Sequence, residues 1–340
     1  LSPPPPAYRA GQVYRWIRGG AHSYDRMTNI DAAFRRRLSE RWPLRCTSVA
    51  GSFTSQDGTV KLRIKMNDGS VVEAVLLEDG CGRRTACLSS QAGCRMGCVF
   101  CKTGALGFSR NLDAAEIMEQ YYHLYAWCME QGDENVSNIV FMGMGEPLLN
   151  LSALRKVCSI LSGDGADDTP AEAHQCFSKK RLTVSTCGLA EKIRDMAAEG
   201  PDIRLAVSIT TAREELRRRL MPASSPLAEI KDALLFYKKR RGRRITLELP
   251  LFEGLNTRNA DAAALAVFAA GLDVIVNLIP WNPVAGIRFE GSPLVRPQQT
   301  TVERFRRELE RRGLKTSLRL SKGAAIEGAC GQLGMVLHEG

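Results

Sequence analysis

Between Thr85 and Pro280 the sequence repeats one texture: a short apolar, β-rich run followed by a stretch long enough for a helix. The runs are "TACLSS", "NIVFMG", "RLTVST", "IRLAVSIT", "RITLELPLF" and "DVIVNLIP", and the spacers include helical patterns at Ala114–Met129 and Leu227–Lys239. Strands separated by helices return through crossovers, which makes neighbouring strands parallel. The expected fold class is therefore α/β, a parallel sheet of six strand–helix units curved into a partial (β/α)6 barrel. Functional residues of such folds collect at the carboxyl ends of the strands.

The flanking segments read differently. "GQVYRWIRGGAHSYDRMTNIDAAFRRRLSERW" carries apolar residues at helical spacing with a break at Gly19-Gly20, which suggests a small helical accessory module of helix-hairpin-helix type over residues 1–45. Residues 46–79 alternate, with "QDG" and "NDG" where hairpins would turn, and read as a small antiparallel section. The core is expected over 80–323, closing with the helix "TVERFRRELERRG", and a glycine-rich tail carrying Cys330 over 324–340.

Eleven cysteines, an odd number without the spacing of a small secreted domain, point to a reducing compartment. The longest apolar run, Ala262 to Leu272, is about half the roughly 20 residues that cross a bilayer, and the start "LSPPPPAYRAG" lacks the basic and apolar regions of a signal peptide. The expectation is a cytoplasmic protein without membrane insertion. A formal charge of +10 favours a polyanionic partner, nucleic acid first. Basic clusters lie at 35–37, 217–219, 238–244 and 304–312. In the last, Phe305 and Leu309 form a buried stripe while Glu303 faces Arg307 and Glu308 faces Arg312 at helical spacing, which suits a solvated face. The run "KKRRGRR" has no acidic neighbour in sequence and is the stronger phosphate-binding candidate.

"GCRMGCVFCKTG" places Cys94, Cys98 and Cys101 in one loop after the first apolar run. Soft thiolates at this spacing select zinc or an iron–sulfur cluster. A closed zinc site wants four ligands, and Cys87, Cys81 or one of four histidines could supply the fourth, so on the residues alone both readings stay open. A cubane held by three cysteines leaves one iron free to take a substrate.

The spacing of the three cysteines, with Phe100 before the last, resembles the radical S-adenosylmethionine (SAM) superfamily. With "FMGMGEP", "RLTVSTCGL", "LRRRLMP", "VNLIPWNP" and "GACGQLG" in that order, the chain is identified as a member of the RlmN/Cfr family of RNA methyltransferases. The resemblance implies a [4Fe-4S] cluster on Cys94, Cys98 and Cys101, and SAM held by Gly145, Glu146, Ser185, Ser208, Ile209, Thr210 and Asn282. It implies Cys330 as a methyl-carrying residue, Cys87 as the thiol that resolves a protein–RNA adduct through a disulfide with Cys330, and Glu73 as proton acceptor. It further implies methylation of adenosine C2 in 23S rRNA and in some tRNAs, with two SAM per turnover, a donor such as flavodoxin, and action as a monomer. C8 methylation of the same base, as in Cfr, is the rival within the family; a zinc-containing RNA-binding protein is the rival outside it.

The sequence departs from the family at two places. Thr210 stands where a histidine is usual, and Ala324-Ala325 where paired aspartates precede the tail cysteine. Cys81, six residues before Cys87, is a possible competitor for its disulfide.

Overall fold

The computed structural model describes residues 6–18, 21, 23–132, 136–164 and 176–334; the expected break at Gly19-Gly20 and residues 335–340 of the tail lie outside them. Strands β1 (Thr47–Thr54), β2 (Val60–Met66) and β3 (Val71–Glu78) form antiparallel hairpins that turn at Gly58 and Gly69, the glycines of "QDG" and "NDG". Both glycines have positive φ, 80° and 86°, as tight hairpin turns require. The strands continue into the core sheet, because β3 pairs with β4 (Arg84–Cys87) through Val75 opposite Cys87.

A separate short pair, β5 (Gln91–Gly93) with β6 (Phe108–Asn111), flanks the cysteine loop. The parallel sheet then runs through β7 (Asn138–Phe141), β8 (Leu182–Thr186), β9 (Arg204–Ser208), β10 (Ile245–Leu251) and β11 (Val274–Pro280). After a small hairpin of β12 (Arg288–Phe289) and β13 (Ser292–Pro293), β14 (Thr316–Leu318) adds a seventh parallel strand beside β11. The sheet order is β1-β2-β3-β4-β7-β8-β9-β10-β11-β14, so all six anticipated runs are parallel strands in chain order. The seventh, only three residues long, gives no periodic signal and forms because β11 offers an open edge.

Alternation along the strands separates two faces. On β8, Leu182 and Val184 join the helices in the main core, while Thr183 and Ser185 turn inward. On β10, Leu247 and Leu249 pack outward and Thr246 and Glu248 inward. Helices Ala190–Glu199, Leu227–Arg241, Asn259–Ala269 and Gln299–Arg311 cover the outer face with Met196, Tyr237, Leu265 and Phe305. Each such side chain contributes roughly 1.5–3 kcal/mol of burial. Helix Ala114–Glu130 starts at a capping box in which Asp113 accepts from the Glu116 amide and Glu116 from that of Asp113.

The N-terminal helices Ala7–Arg18 and Ala32–Arg41 enclose a small core of Met27, Ile30 and Leu38. Buried Glu119 ties its exit segment to the barrel, accepting from the Cys46 amide at 2.9 Å and the Thr47 hydroxyl at 2.5 Å. The tail crosses from β14 back to the opposite region of the sheet. Gly323 N–H donates to Asp57 at 2.8 Å, Lys61 to the Glu327 carbonyl at 3.3 Å, and Gly334 N–H to Glu73 at 2.8 Å. Strands far apart in the sheet order are thus joined by one segment, as a curved sheet requires. Among the described residues no helix is long and apolar enough to cross a membrane.

Candidate active site

The cysteine loop is pinned from several sides. Cys94 N–H donates to the Gly107 carbonyl at 2.7 Å, Val99 N–H to that of Leu220 at 3.0 Å, and the Trp281 indole to that of Phe100 at 3.1 Å. The Phe100 ring packs on Phe252 at 5.4 Å, which packs on Trp281 at 5.9 Å. Gly104 is required for this compactness, since a Cβ there would lie 2.9 Å from the Cys98 carbonyl oxygen. Cys94, Cys98 and Cys101 border one cavity of about 170 Å³ at the carboxyl ends of the strands.

Burial and the neighbouring sulfurs push these thiols up, Cys94 to about 11 and Cys98 further. Three soft donors converging where unpaired thiolates are disfavoured suit a cationic iron–sulfur core, which would compensate their charge. Among the described residues no group of three or more His, Cys, Asp or Glu forms a ready-made site for a single ion. Because all three thiols border one cavity, the donor set fits a cluster lodged there.

The facing wall carries Gly145, Glu146, Ser185, Ser208 and Asn282, all bordering the same cavity. Gly145 has φ +98°, and a Cβ there would come within 2.5 Å of Gln91. Glu146 is 3% exposed, accepts from the amides of Cys187 at 2.8 Å and Leu148 at 3.1 Å, and is pushed up by burial. A buried carboxylate held by two amides, with no cation bonded to it among the described residues, is suited to receive an ammonium group. Ser185 donates to Glu248 at 2.9 Å, and Asn282 donates to the Cys330 carbonyl at 3.1 Å.

Ile209 and Thr210 border neither main cavity. Ile209 is fully buried in the core, Thr210 (φ 62°) turns its hydroxyl to the Met221 sulfur at 3.1 Å, and both backbone amides donate to the Glu248 carbonyl. The apolar strand exit and the left-handed turn draw these side chains away from the cavity.

A second cavity, about 570 Å³, occupies the barrel interior and is bordered by Cys87, Glu248, Arg319 and Cys330. Met142, Glu248, Ile279, Asn282 and Cys330 line both cavities, so Cys330 stands at their junction. Both Cys87 and Cys330 are free thiols. Burial, then the nearby Cys330, pushes Cys87 up to about 12. Arg319 is held up chiefly by Cys330, with Glu248 and Cys87 adding to the effect. Sequence reasoning missed Arg319 and Glu248; Glu248 inside the apolar run "RITLELPLF" was a legible signal, whereas Arg319 follows a strand too short to give one. Cys81 is exposed, lies outside both cavities, and donates its amide to Asp79 at 2.8 Å.

Glu73 lies on β3 two residues from Val75, the partner of Cys87, and therefore shares its inward face. Its carboxylate meets Lys61 at 3.1 Å and Arg63 at 3.3 Å and accepts from Gly334 of the tail. It borders neither cavity, standing behind the tail segment instead.

The basic clusters divide. Arg217 is buried, so "RRR" 217–219 does not present three charges to solvent. The run 238–244 does have acidic partners, contrary to expectation: Arg243 pairs with Asp202 at 2.5 Å and Arg244 with Asp273 at 3.1 Å, both brought in from loops distant in sequence. Lys239 and Arg240 are exposed. On the last helix, Glu303–Arg307 at 3.4 Å and Glu308–Arg312 at 2.8 Å form as expected over buried Phe305 and Leu309. Exposed Lys180, Arg181, Arg204 and Lys315 lie at the amino ends of β8, β9 and β14. The large cavity is bordered on that side by Thr85, Asn138, Thr183 and Thr246.

Comparison with known proteins follows the same lines. Residues 88–266 match the radical SAM superfamily, and residues 5–43 match the ribosomal RNA large subunit methyltransferase N-terminal domain. The chain is 46% identical over 329 residues to a probable dual-specificity RNA methyltransferase RlmN of Treponema denticola, covering 96% of this chain and 90% of that protein. It is 39% identical over 335 residues to a protein of that description from Thermus thermophilus, with 98% and 90% covered. A crystal structure of a radical SAM methyltransferase from Sphaerobacter thermophilus superposes with a TM-score of 0.87 at 37% identity, covering 96% of this chain and 92% of that one.

Two outcomes are expected. Glu73→Ala leaves buried Lys61 without its counter-charge and lowers unfolding free energy by about 3–5 kcal/mol in chemical denaturation; the Glu73→Leu, Lys61→Met pair loses much less. In cluster-free protein Cys87 is a neutral thiol at pH 8, with a thiolate fraction roughly a thousandfold below that of an ordinary cysteine. Because its folded value is raised, the stability that burial of this thiol contributes is present below the ordinary thiol range and is lost as pH rises toward 12. Mass spectrometry after iodoacetamide treatment should show exposed Cys81 modified long before Cys87.

Proposed function

Because this chain belongs to the RlmN family of radical SAM RNA methyltransferases, we propose that it methylates C2 of adenosine in 23S rRNA, and in some tRNAs, through a methylated Cys330. The observation that carries this reading is the position of Cys330 at the junction of two cavities, one bordered by the three-cysteine loop and the other by Cys87. A residue that collects a methyl group on one side and delivers it to a bulky base on the other needs access to both.

Cys94, Cys98 and Cys101 would hold the [4Fe-4S] cluster, and Gly145, Glu146, Ser185, Ser208 and Asn282 would hold SAM, with Glu146 on its ammonium group. When bound, these groups supply a methyl donor, an electron and a carbon-centred radical. Adenine C2 lies between two ring nitrogens and is too electron-poor to attack a methyl cation donor, so a radical route is required. Cys330 would accept a methyl group on sulfur; loss of one hydrogen atom from that methyl to the carbon-centred radical leaves a thiomethylene radical that adds to C2, and the adduct passes one electron back to the cluster. Once the C2 proton is lost, Cys87 attacks the Cys330 sulfur, the sulfur–carbon bond to the base breaks, that carbon takes up a proton to become the methyl group, and a Cys87–Cys330 disulfide forms. The Arg319 guanidinium borders the same cavity as both cysteines and partly offsets the burial that pushes Cys87 up.

RNA approaches the amino-end rim, where Lys180, Arg181, Arg204, Lys239, Arg240 and Lys315 meet phosphates without reading sequence. The target base must be extruded to enter the 570 Å³ interior, which favours a loop or partly unfolded rRNA. The enzyme acts in the cytoplasm as a monomer with an electron donor such as flavodoxin.

Nucleoside mass spectrometry of RNA treated with reconstituted enzyme should yield 2-methyladenosine; 8-methyladenosine would reassign the position. Cys87→Ala should accumulate a covalent protein–RNA adduct, and recovery of free, fully methylated RNA would rule out its resolving role. Replacing Lys180, Arg181 and Lys315 together by Ala should reduce the slope of log affinity against log salt by about 0.7 per lost phosphate contact, the value for single strands. An unchanged slope would move the RNA face elsewhere.

A further inference from the structure

Helix Glu214–Leu220 backs the cysteine loop: Leu220 accepts from Val99 at 3.0 Å, and Leu216, Leu220 and Met221 pack with Met96 and Phe100. At its centre Arg217 is 1% exposed. The guanidinium donates to the carbonyls of Cys187 at 2.7 Å and Ser208 at 3.3 Å, and to the Ser224 hydroxyl. None of these partners is an anion. Nε is buried and has no hydrogen-bond partner.

Neither nearby carboxylate is bonded to the guanidinium. Glu214 accepts from the Leu227 amide at 2.7 Å, and Glu146 accepts from the amide of Cys187, the residue whose carbonyl Arg217 holds. Arg219, by contrast, reaches Glu290 at the surface, and Arg218 is exposed. A desolvated cation costs several kcal/mol unless a counter-charge stands close by. Burial pushes Arg217 down, and the neighbours that oppose this are Cys187, which borders the small cavity, then Cys98 of the three-cysteine loop, then Glu214. Gly188 leaves room for the group, since a Cβ there would come within 2.9 Å of a guanidinium nitrogen.

We infer that Arg217 is the buried counter-charge of the iron–sulfur cluster, a positioning residue that stabilises the reduced form and so raises its reduction potential. The inference rests on the reading of Cys94, Cys98 and Cys101 as the cluster's ligands. A cubane held by three thiolates is anionic and gains a further negative charge on reduction, and its potential follows net charge, hydrogen bonding and exposure to water. Arg217 supplies a fixed positive charge that water cannot screen, anchored to the chain at the exits of β8 and β9. Its hydrogen-bond partners are two carbonyls and a hydroxyl rather than carboxylates, so no bonded ion pair neutralises it.

The test compares wild type with Arg217→Gln, Arg217→Met and Arg217→Lys, each reconstituted anaerobically and titrated by electron paramagnetic resonance without SAM or RNA. Both neutral variants should titrate at a more negative midpoint, while Lys stays within titration error of wild type. Neutral variants that titrate with wild type overturn the inference, as does a Lys variant displaced as far as Gln, since hydrogen bonding and not charge would then set the value. Failure of both neutral variants to assemble a cluster, with assembly retained in Lys, also supports the charge; failure of all three points to packing and overturns it. Wild-type protein that takes up no cluster would instead remove the reading of the three cysteines.

Discussion

The buried carboxylate of Glu73 joins three parts of the molecule that the sheet order keeps apart. It lies on β3, is held by Lys61 and Arg63 of β2, and accepts the Gly334 amide from the tail that follows β14. Lys61 in turn donates to the Glu327 carbonyl, and Lys102 pairs with the Glu327 carboxylate at 2.7 Å. The Lys61–Glu73 pair is shielded from water, where it is worth more than on the surface and where losing one partner strands the other, while Lys102–Glu327 lies at the surface. Without them the segment carrying Cys330 would have no fixed course across the barrel, and the two cavities would not share a wall.

Inside that enclosure the chemistry follows from what burial does to charge. Burial pushes Cys87 and Glu146 up and Arg217 down, while Cys330 holds Arg319 up, and neither arginine is bonded to a carboxylate among the described residues. Such a site is out of electrostatic balance until anionic or cationic guests enter it. The small cavity combines thiols with an acid suited to an ammonium group, and the large one combines a guanidinium with two cysteines. Preorganised charge of this kind is typical of sites built for charged, reactive ligands.

The departures at Thr210 and at Ala324-Ala325 take on different weights once placed. Thr210 is buried against Met221 in a left-handed turn, a strained position for a residue with a β-branched side chain. Ala324 and Ala325 are exposed on a short helical turn between two anchored points, Gly323 and Glu327. The first alters how a strand exit packs; the second removes charge from the outer surface of the tail.

The parallel core, the hairpin turns and the three-cysteine loop were all legible in the sequence, because each rests on local periodicity, turn glycines or close spacing. Glu303–Arg307 and the stripe of Phe305 and Leu309 were readable for the same reason, being contacts one helical turn apart. The partners of Arg243 and Arg244, the burial of Arg217, the strand β14 and the roles of Glu248 and Arg319 were not. Each depends on groups from distant segments meeting in space, such as Asp202 with Arg243 or β11 with β14. Local pattern fixes which face of a strand or helix is apolar. Only the curvature of the closed structure decides which inward side chains share a cavity, and which charges lose their water.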